Sequence, residues 1–275
     1  MVYVMLSRAQ SLDQIVILDG LYTDQNGWKP HQSAIDEMES SKKEAINIDR
    51  FEKFDLKIMC LNVLSLQNNF VEISRKIEST KCAVACLQET WLDKTSSGDA
   101  YQIETFELSL NSQGRGRGIA TYFKKPFVVT ESFNQSDCQI TKISSEDVDI
   151  INLYRSQECK NIEQLIRPLI NLKKKTIVVG DTNINFENQK SHSFVKMMIE
   201  NLRFEQLVTR PTFDRLPSFK PSLLDQVYVS PDLKELVKVE QKCLGFNDHD
   251  ILIISLLSEK ESRKTSSDIF EEVSD

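Results

Sequence analysis

Two polar side chains, Asp181 and Asn183, directly follow a short apolar run and are the first candidates for chemistry. The run from Thr176 to Val179 is β-branched and predicts a strand buried on both faces, which Gly180 ends. A carboxylate and a carboxamide at the end of such a strand can point together into a cleft at the sheet edge. The alternative is a simple turn, because Asp and Asn are common turn formers. Taken alone, the stretch favours the turn.

The same arrangement recurs along the chain. Apolar runs that predict buried strands repeatedly begin or end in residue types that bind metal ions or phosphate: Asn62, Glu89, Tyr154, Asp181, Asn183, Asp225, Asp248 and His249. A single polar residue at a strand end carries little information, whereas this repetition indicates a site. Mg²⁺ prefers a few carboxylate oxygens and retained waters, which Glu89 and Asp248 could supply with help from Asn62.

The elements that must position these residues are mostly strands. Periodicity and breaker residues predict three helices, at 70–80, 161–172 and 191–201. They predict strands at 56–61, 83–87, 119–123, 126–130, 148–154, 176–179, 222–229 and 251–257, with 126–130 as the hairpin partner of 119–123.

Length and composition indicate one large domain with an appendage. The chain has 275 residues, of which 40% are hydrophobic and 27% charged, as in an ordinary globular protein. Residues 22–54 are polar and read as a linker, and 55–257 as the main domain. Residues 258–275 are charged and rich in Ser and Glu, which predicts a disordered tail. No apolar run approaches the ~20 residues of a membrane span, so we expect no membrane association.

Cysteine usage and charge narrow the class of protein. The six cysteines form no Cys-x-x-Cys pair, and no histidine lies at zinc-finger spacing from them, so we expect a reducing, intracellular location. The net charge of −7 argues against a protein that coats nucleic acid non-specifically. Residues 55–257, however, hold 26 acidic and 25 basic residues, and a nuclease whose carboxylates cluster at a metal fits that balance.

Residues 1–21 include Tyr-Val-Met-Leu-Ser-Arg-Ala-Gln-Ser-Leu-Asp, which resembles the last conserved segment of RecD-like helicases, including those of Helitron transposons. In that family the arginine that matches Arg8 reaches a nucleotide γ-phosphate. None of the eight glycines is followed by lysine, so a Gly-Lys-Ser/Thr phosphate loop is lacking and we expect no ATP binding. We interpret the segment as a helicase remnant, or as the late start of a longer helicase–nuclease polyprotein. The alternative is a chance helix, turn and strand.

From about residue 56 to 257 the chain resembles the endonuclease/exonuclease/phosphatase family, which includes DNase I and apurinic/apyrimidinic endonucleases. The matching pieces occur in the family's order: Cys-Leu-Asn62, Leu-Gln-Glu89-Thr, Gly-Arg-Gly-Ile-Ala, Asn-Leu-Tyr154, Gly-Asp181-Thr-Asn183, Leu-Leu-Asp225-Gln-Val and Asp248-His249. Thr-Arg-Pro-Thr (209–212) and the segment 222–230 look most like endonuclease domains of non-LTR retrotransposons. The resemblance implies an α/β fold, a four-layer sandwich of two packed, mainly antiparallel sheets flanked by helices.

The resemblance also implies a role for each site residue. Glu89 would hold Mg²⁺, or Mn²⁺ in its place, with Asn62 and Asp248 near the ion. Asp181 would orient and deprotonate the attacking water. The remaining residues would act on the phosphate, Asn183 and Tyr154 as ligands of its oxygens, and His249, steered by Asp225, as stabiliser of developing charge.

Ordinary structural interpretations remain open for several residues. His249 could be a satisfied core histidine, Glu89 a helix-cap helper and Tyr154 strand-end packing. His31 and His192 read as exposed. Four basic residues could form either a phosphate-contacting edge or a solvated face: Arg115, Arg117, Lys124 and Lys125.

Two departures from the family pattern concern substrate binding. The stretches 123–154 and 154–176 look short for the family, which puts DNA affinity in doubt more than chemistry. Thr182 stands where many relatives have an aromatic residue.

These features together predict a Mg²⁺-dependent enzyme that nicks one strand of DNA, encoded by a transposable element. We expect a monomer that acts in the nucleus on DNA. A phosphatase or an RNA deadenylase is the alternative within the enzyme class, since one catalytic frame serves all of these. A catalytically silent product that only binds DNA or a partner is the alternative outside it.

Overall fold

The computed structural model describes residues 54–214, 220–245 and 247–257. The predictions for the helicase-like segment (1–21), for most of the linker (22–53) and for the charged tail (258–275) lie outside these residues. Within them, no helix has the length and apolar character needed to cross a membrane.

Two six-stranded sheets dominate the structure. The strands are β1 (Phe54–Asn62), β2 (Val84–Gln88), β3 (Glu107–Asn111), β4 (Ile119–Phe123), β5 (Val128–Asn134), β6 (Cys138–Ser144), β7 (Val148–Arg155), β8 (Lys175–Asp181), β9 (Glu205–Gln206), β10 (Asp225–Val229), β11 (Val237–Lys242) and β12 (Ile251–Leu257). The helices are α1 (Leu66–Thr80), α2 (Ile162–Ile166) and α3 (Ser193–Lys196). Single turns of 3₁₀-helix occupy Gly98–Tyr101, Arg167–Leu169 and Pro231–Leu233, and α3 continues as a π-helix over Met197–Asn201.

The first sheet has the strand order β11-β12-β1-β2-β4-β3, and the second has the order β5-β6-β7-β8-β10-β9. β1 with β2 and β7 with β8 are parallel, and every other pairing between the described strands is antiparallel. Each sheet therefore carries one parallel pair near its centre. The predicted site residues Asn62, Glu89, Tyr154 and Asp181 lie at or next to the ends of these four strands, whereas Asp225 begins β10 and His249 precedes β12.

The core lies in three layers of apolar side chains, which follow from the alternation of faces along each strand. In β1, Ile58 and Cys60 belong to the cluster shared with strands of the second sheet, whereas Met59 and Leu61 belong to the cluster that includes residues of α1. A third cluster joins the other face of the second sheet to α2 and α3. The predicted sandwich of two sheets with helices outside is confirmed.

Several elements differ from the predictions. The predicted hairpin of 119–123 with 126–130 is wrong, because β5 pairs with β6 in the second sheet while β4 pairs with β2 and β3. The pattern had not indicated β3, β6 or β11. In β6 the reason is that Gln139 and Thr141 are buried polar side chains, so the strand lacks an apolar run. The helices predicted at 161–172 and 191–201 are shorter and change to 3₁₀ and π geometry.

Candidate active site

The predicted site residues converge because strand ends from both sheets meet at one edge of the sandwich. β1 ends at Asn62 and the parallel β2 ends one residue before Glu89. In the other sheet β8 ends at Asp181, which pairs with Asp225 at the start of the antiparallel β10. β12 begins two residues after His249, and its antiparallel pairing with β1 brings this beginning to the Asn62 end. The carboxyl ends of β1, β2 and β8 therefore lie at the same edge as the amino ends of β10 and β12.

The side chain of Asn62 joins the two sheets. Its Nδ2 donates to Oδ2 of Asp181 at 2.9 Å and to Oε1 of Glu89 at 3.1 Å. Asn62 is fully buried and Glu89 is half-buried, so these hydrogen bonds are little weakened by water. One amide thus ties together two carboxylates that belong to different sheets.

Gly180, the residue before the last of β8, occupies a position beside β7 that has no room for a side chain. Its φ is +143°, and a Cβ built there would lie 1.8 Å from the carbonyl oxygen of Leu153. Asn183 has a left-handed φ of 49°, and its backbone N–H donates to Oδ1 of Asp181 at 2.8 Å. Its Nδ2 donates to the carbonyl oxygen of Arg155 at 2.9 Å. The stretch is therefore a turn, as one sequence interpretation predicted, and it also brings Asp181 and Asn183 together at the edge of the sandwich, as the other requires.

The carboxyl group of Asp181 is fully buried, and its pKa is raised to about 7. Burial is the main cause and the charge of Asp225 adds to it, while His249 and the backbone N–H of Asn183 act in the opposite direction. A carboxylate with this pKa can accept a proton from water at neutral pH, which is what a general base requires.

His249 and Asp225 form a buried pair. Nδ1 of His249 lies 2.8 Å from Oδ2 of Asp225, and both side chains are almost completely buried. Burial alone would lower the pKa of the imidazole, but the charge of Asp225 and the hydrogen bond to it raise this pKa to about 9. The ring is therefore an imidazolium at neutral pH.

Thr212 and Phe213 support the Asp225–His249 pair through a hydrogen bond and a ring contact. Oγ1 of Thr212 accepts hydrogen bonds from the backbone N–H of Asp225 (3.0 Å) and of Leu224 (3.2 Å). The ring of Phe213 lies against His249 with a centroid separation of 4.8 Å. The Thr-Arg-Pro-Thr motif thus has a structural task at the site.

The donor groups fit a hard divalent cation. Donor atoms of Asp181, Asp225 and His249 lie within 4.8 Å of one another, but the protonated ring of His249 leaves the two carboxylates as the groups of this set that can bind a cation. Oδ1 of Asp225 is buried and has no hydrogen-bond partner among the described residues. The charge of Asp225 also raises the pKa of Asp181, and a cation nearby would relieve that repulsion. Glu89 is linked to the same group through Asn62, and oxygen donors of this kind suit Mg²⁺.

Tyr154 and Asp248 are the two remaining predicted site residues. The hydroxyl group of Tyr154 donates to the carbonyl oxygen of Gly116 at 2.8 Å, and burial, followed by the charges of Glu89 and Asp181, raises its pKa. Tyr154 therefore stays neutral and has a proton to donate. Asp248 is half-buried beside His249 but is not in the group of Asp181, Asp225 and His249. Its role as a metal ligand stays a prediction.

Sequence reasoning missed three residues that contact the site. Asn247 donates through Nδ2 to the carbonyl oxygen of Asn62 at 2.7 Å, and its Oδ1 accepts from the backbone N–H of His249 at 3.0 Å. Nε1 of Trp91 donates to Oε2 of Glu89 at 3.1 Å, and Thr212 supports Asp225. Trp91 and Asn247 each lie within two residues of a predicted site residue, and Thr212 ends the Thr-Arg-Pro-Thr motif, so their positions in the sequence were the available clue.

Arg117 and Lys124 contact other side chains, Arg115 is exposed, and His192 caps a helix. Arg117 pairs with Glu158 at 3.1 Å, and Nζ of Lys124 lies 4.5 Å from the centroid of the Phe106 ring. Arg115 is exposed. The prediction that His192 is simply exposed is wrong, because it is half-buried and its Nδ1 accepts from the backbone N–H of Phe194 at the start of α3. Such capping satisfies an N–H group left free by the first helical turn.

Comparisons with known proteins identify the family and agree with the fold. The Endonuclease/Exonuclease/phosphatase family matches residues 59–268. No curated protein sequence matches the chain. An AP endonuclease from Archaeoglobus fulgidus superposes with a TM-score of 0.59 at 19% identity, covering 73% of this chain and 99% of that one.

Two further solved structures share the fold. For the endonuclease domain of TRAS1, a telomere-specific non-LTR retrotransposon, the TM-score is 0.57 at 15% identity, with 74% and 98% of the two chains covered. For the 3′ phosphatase NExo from Neisseria, bound to product DNA hairpin, it is 0.55 at 17% identity, with 73% and 99% covered. The family match, which spans most of the chain, and the shared fold together show that this chain belongs to the Endonuclease/Exonuclease/phosphatase family.

Proposed function

We propose that this protein is a Mg²⁺-dependent endonuclease that nicks one strand of DNA and is encoded by a transposable element. The observation that carries the proposal is the single polar group formed by Asn62, Glu89 and Asp181 across the two sheets, with the Asp225–His249 pair beside it. Phosphodiester hydrolysis needs an oriented water, neutralised phosphate charge and help for the leaving oxygen. This group contains a candidate for each task.

Asp181 is the proposed general base. Its pKa of about 7 leaves a substantial fraction ionised at neutral pH, so the carboxylate accepts a proton from the water that attacks phosphorus. The N–H of Asn183 and the Nδ2 of Asn62 hold its two oxygens in place. A base held in this way spends little free energy on reorientation during the reaction.

The remaining residues act on the phosphate. His249, as an imidazolium held by Asp225, stabilises the negative charge that develops on the phosphate oxygens. Asn183 and the neutral hydroxyl group of Tyr154 donate hydrogen bonds to the same oxygens. Tyr154 must exchange its present acceptor, the carbonyl oxygen of Gly116, to do so.

Glu89, with Asn62 and Asp248, is the proposed Mg²⁺ site. A bound Mg²⁺ supplies positive charge against the phosphate and its leaving oxygen. The imidazolium state of His249 argues against its use as a metal ligand, because a protonated ring nitrogen has no lone pair to offer. The ion therefore belongs on the Glu89 side of the group.

DNA as the substrate is supported by the resemblance of the 209–212 and 222–230 segments to retrotransposon endonucleases and by the shared fold with TRAS1. Within the 209–212 segment, Thr212 accepts a hydrogen bond from the backbone N–H of Asp225, which explains why a threonine is useful at this position. Arg115, which is exposed, is a candidate contact to the DNA backbone. The helicase-like segment 1–21 is the further support for an origin in a transposable element.

A comparison of substrates tests the proposal. The purified protein, with Mg²⁺, is given a supercoiled plasmid, an inositol phosphate and poly(A) in parallel reactions. We expect conversion of the plasmid to the open circle and no turnover of the other two. A plasmid that stays supercoiled while the inositol phosphate or poly(A) is hydrolysed would replace the proposal by a phosphatase or a deadenylase. Inactivity on all three would favour a silent binding protein.

A further inference from the structure

The carboxylate of Glu89 has one hydrogen-bond donor on each oxygen. Nδ2 of Asn62 donates to Oε1 at 3.1 Å, and Nε1 of Trp91 donates to Oε2, also at 3.1 Å. A glutamate side chain has several rotatable bonds, and a single donor leaves the plane of its carboxylate free to turn. Two donors on opposite oxygens fix both its position and its plane.

The backbone takes an unfavourable path to bring the indole back to Glu89. Glu89 has φ 51° and Trp91 has φ 58°, in the left-handed region that residues other than glycine seldom occupy. The path is held by hydrogen bonds to a neighbouring loop, from the N–H of Thr90 to the carbonyl of Gly118 (3.1 Å) and from that of Trp91 to the carbonyl of Arg117 (2.9 Å). Strained backbone that the surroundings enforce is concentrated at functional sites.

The same loop also covers the indole. The guanidinium carbon of Arg115 lies 5.5 Å from the ring centroid of Trp91, within the range of a cation–π contact. The N–H of Gly114 donates to the carbonyl of Leu92 at 2.8 Å and ties the start of the loop to the residue after Trp91. The ring of Trp91 is thus held between Glu89 and Arg115.

From these contacts we infer that Trp91 is a positioning residue, whose indole N–H orients the Glu89 carboxylate for a divalent cation. This inference rests on the proposed function in one respect, namely that Glu89 holds the metal. Trp91 itself touches neither the phosphate nor the water. Groups that hydrogen-bond to a metal ligand typically contribute 10- to 100-fold to metal affinity.

The affinity for Mn²⁺, measured from the decrease in the EPR signal of the free ion, tests the inference independently of catalysis. Trp91→Phe keeps an aromatic ring for Arg115 but removes the N–H. We expect it to bind Mn²⁺ roughly 10-fold more weakly than the wild type, at an unchanged melting temperature. Trp28→Phe, which changes the other tryptophan of the chain, is the matched control and should bind normally. Affinity of Trp91→Phe within twofold of the wild type would overturn the inference.

A second measurement keeps the inference testable if Trp91→Phe does not fold. In Trp28→Phe, Trp91 is the only tryptophan, so a ¹H–¹⁵N spectrum has one indole cross-peak. We expect this peak to move when Mg²⁺ is added and when Glu89 is changed to Gln, because both alter the acceptor of the indole N–H. A peak that stays in place under both changes would show that Trp91 does not sense Glu89.

The two proposals can fail separately. If the wild type nicks DNA but Trp91→Phe keeps its Mn²⁺ affinity, the inference fails and the proposed function stands. If Trp91→Phe loses affinity but the wild type cleaves no nucleic acid, the proposed function fails and the inference stands. A wild type that binds no Mn²⁺ would overturn the inference together with the metal part of the proposed function.

Discussion

Nδ1 of His249 lies 2.8 Å from Oδ2 of Asp225, and neither side chain is appreciably exposed. This relationship decides the charge of the imidazole. Burial alone would lower the pKa of the ring, whereas the charge and hydrogen bond of Asp225, helped by the charges of Asp181 and Glu89, raise it to about 9. A protonated ring at this position carries the positive charge that the proposed stabilisation of developing negative charge requires.

Changing Asp225 to Asn should therefore lower the pKa of His249, because burial is then opposed only by the charges of Asp181 and Glu89. The chain has three histidines, so a ¹H NMR titration of the ring protons resolves the change. We expect one resonance that titrates near 9 in the wild type and at a clearly lower pH in the variant, with nicking reduced by roughly 10²-fold. A His249 resonance that titrates normally in the wild type would contradict the assignment.

Stability should depend on pH through the same pair. The pKa of His249 is higher in the folded state than its ordinary value of 6.5, so the pair's contribution is fully present below that value. It is lost as the pH rises through about 9. We expect urea unfolding to show Asp225→Asn destabilised at pH 6 and nearly equal to the wild type at pH 10.5. A difference that is independent of pH would mean that the pair does not carry a charge.

The rate of nicking should have a bell-shaped dependence on pH. It should rise through about 7 as Asp181 ionises and fall through about 9 as His249 loses its proton. Bound Mg²⁺ favours the ionised carboxylate, so more Mg²⁺ should move the acidic limb to lower pH. The measurement is a set of initial rates between pH 5.5 and 10. A rate that does not change across this range would exclude Asp181 as the base.

Glu89→Gln should raise the Mg²⁺ concentration needed for half-maximal nicking by roughly 10- to 100-fold, because an amide is a poorer ligand than a carboxylate. Glu104→Gln is the matched control, since Glu104 is exposed and should show no change. Equal Mg²⁺ requirements for both variants would place the metal elsewhere.

Asn152 should contribute to stability between the sheets. Its Oδ1 accepts from Nε2 of Gln88 at 2.7 Å, and its Nδ2 donates to Oγ1 of Thr121 at 2.9 Å, all fully buried. Asn152→Ala leaves these partners unsatisfied, so we expect a loss of about 2–3 kcal/mol in urea unfolding. Asn188→Ala, at an exposed position, should cost less than about 0.5 kcal/mol.

Much of the fold could be predicted because its central strands are apolar runs. β1, β2, β7, β8 and β12 are buried on most positions, and the pattern predicted each of them within two residues at either end. β6 escaped because its inward side chains include Gln139, which accepts from the N–H of Gly118. In the sequence alone, a buried polar residue whose hydrogen bonds are made within the fold cannot be distinguished from an exposed one.

The site was predictable as a set of strand ends but not as a set of contacts. The hydrogen bond from Asn62 to Asp181 spans 119 positions of the chain, and no spacing rule relates residues in different sheets. The indole N–H of Trp91 reaches Glu89 because both residues have left-handed backbone conformations, and Oγ1 of Thr212 reaches Asp225 through the local path of its segment, neither of which residue type alone predicts. These supporting groups therefore emerged only from the structure.

The most direct test of the account is the Mg²⁺-dependent nicking of supercoiled plasmid by the wild type, Glu89→Ala and His249→Ala, measured at pH 8. The account predicts open-circle product with the wild type, none after addition of EDTA, and rates at least roughly 10²-fold lower with either variant. Equal product from all three proteins, unaffected by EDTA, would contradict the claim that these strand-end residues form a metal-dependent phosphodiesterase site.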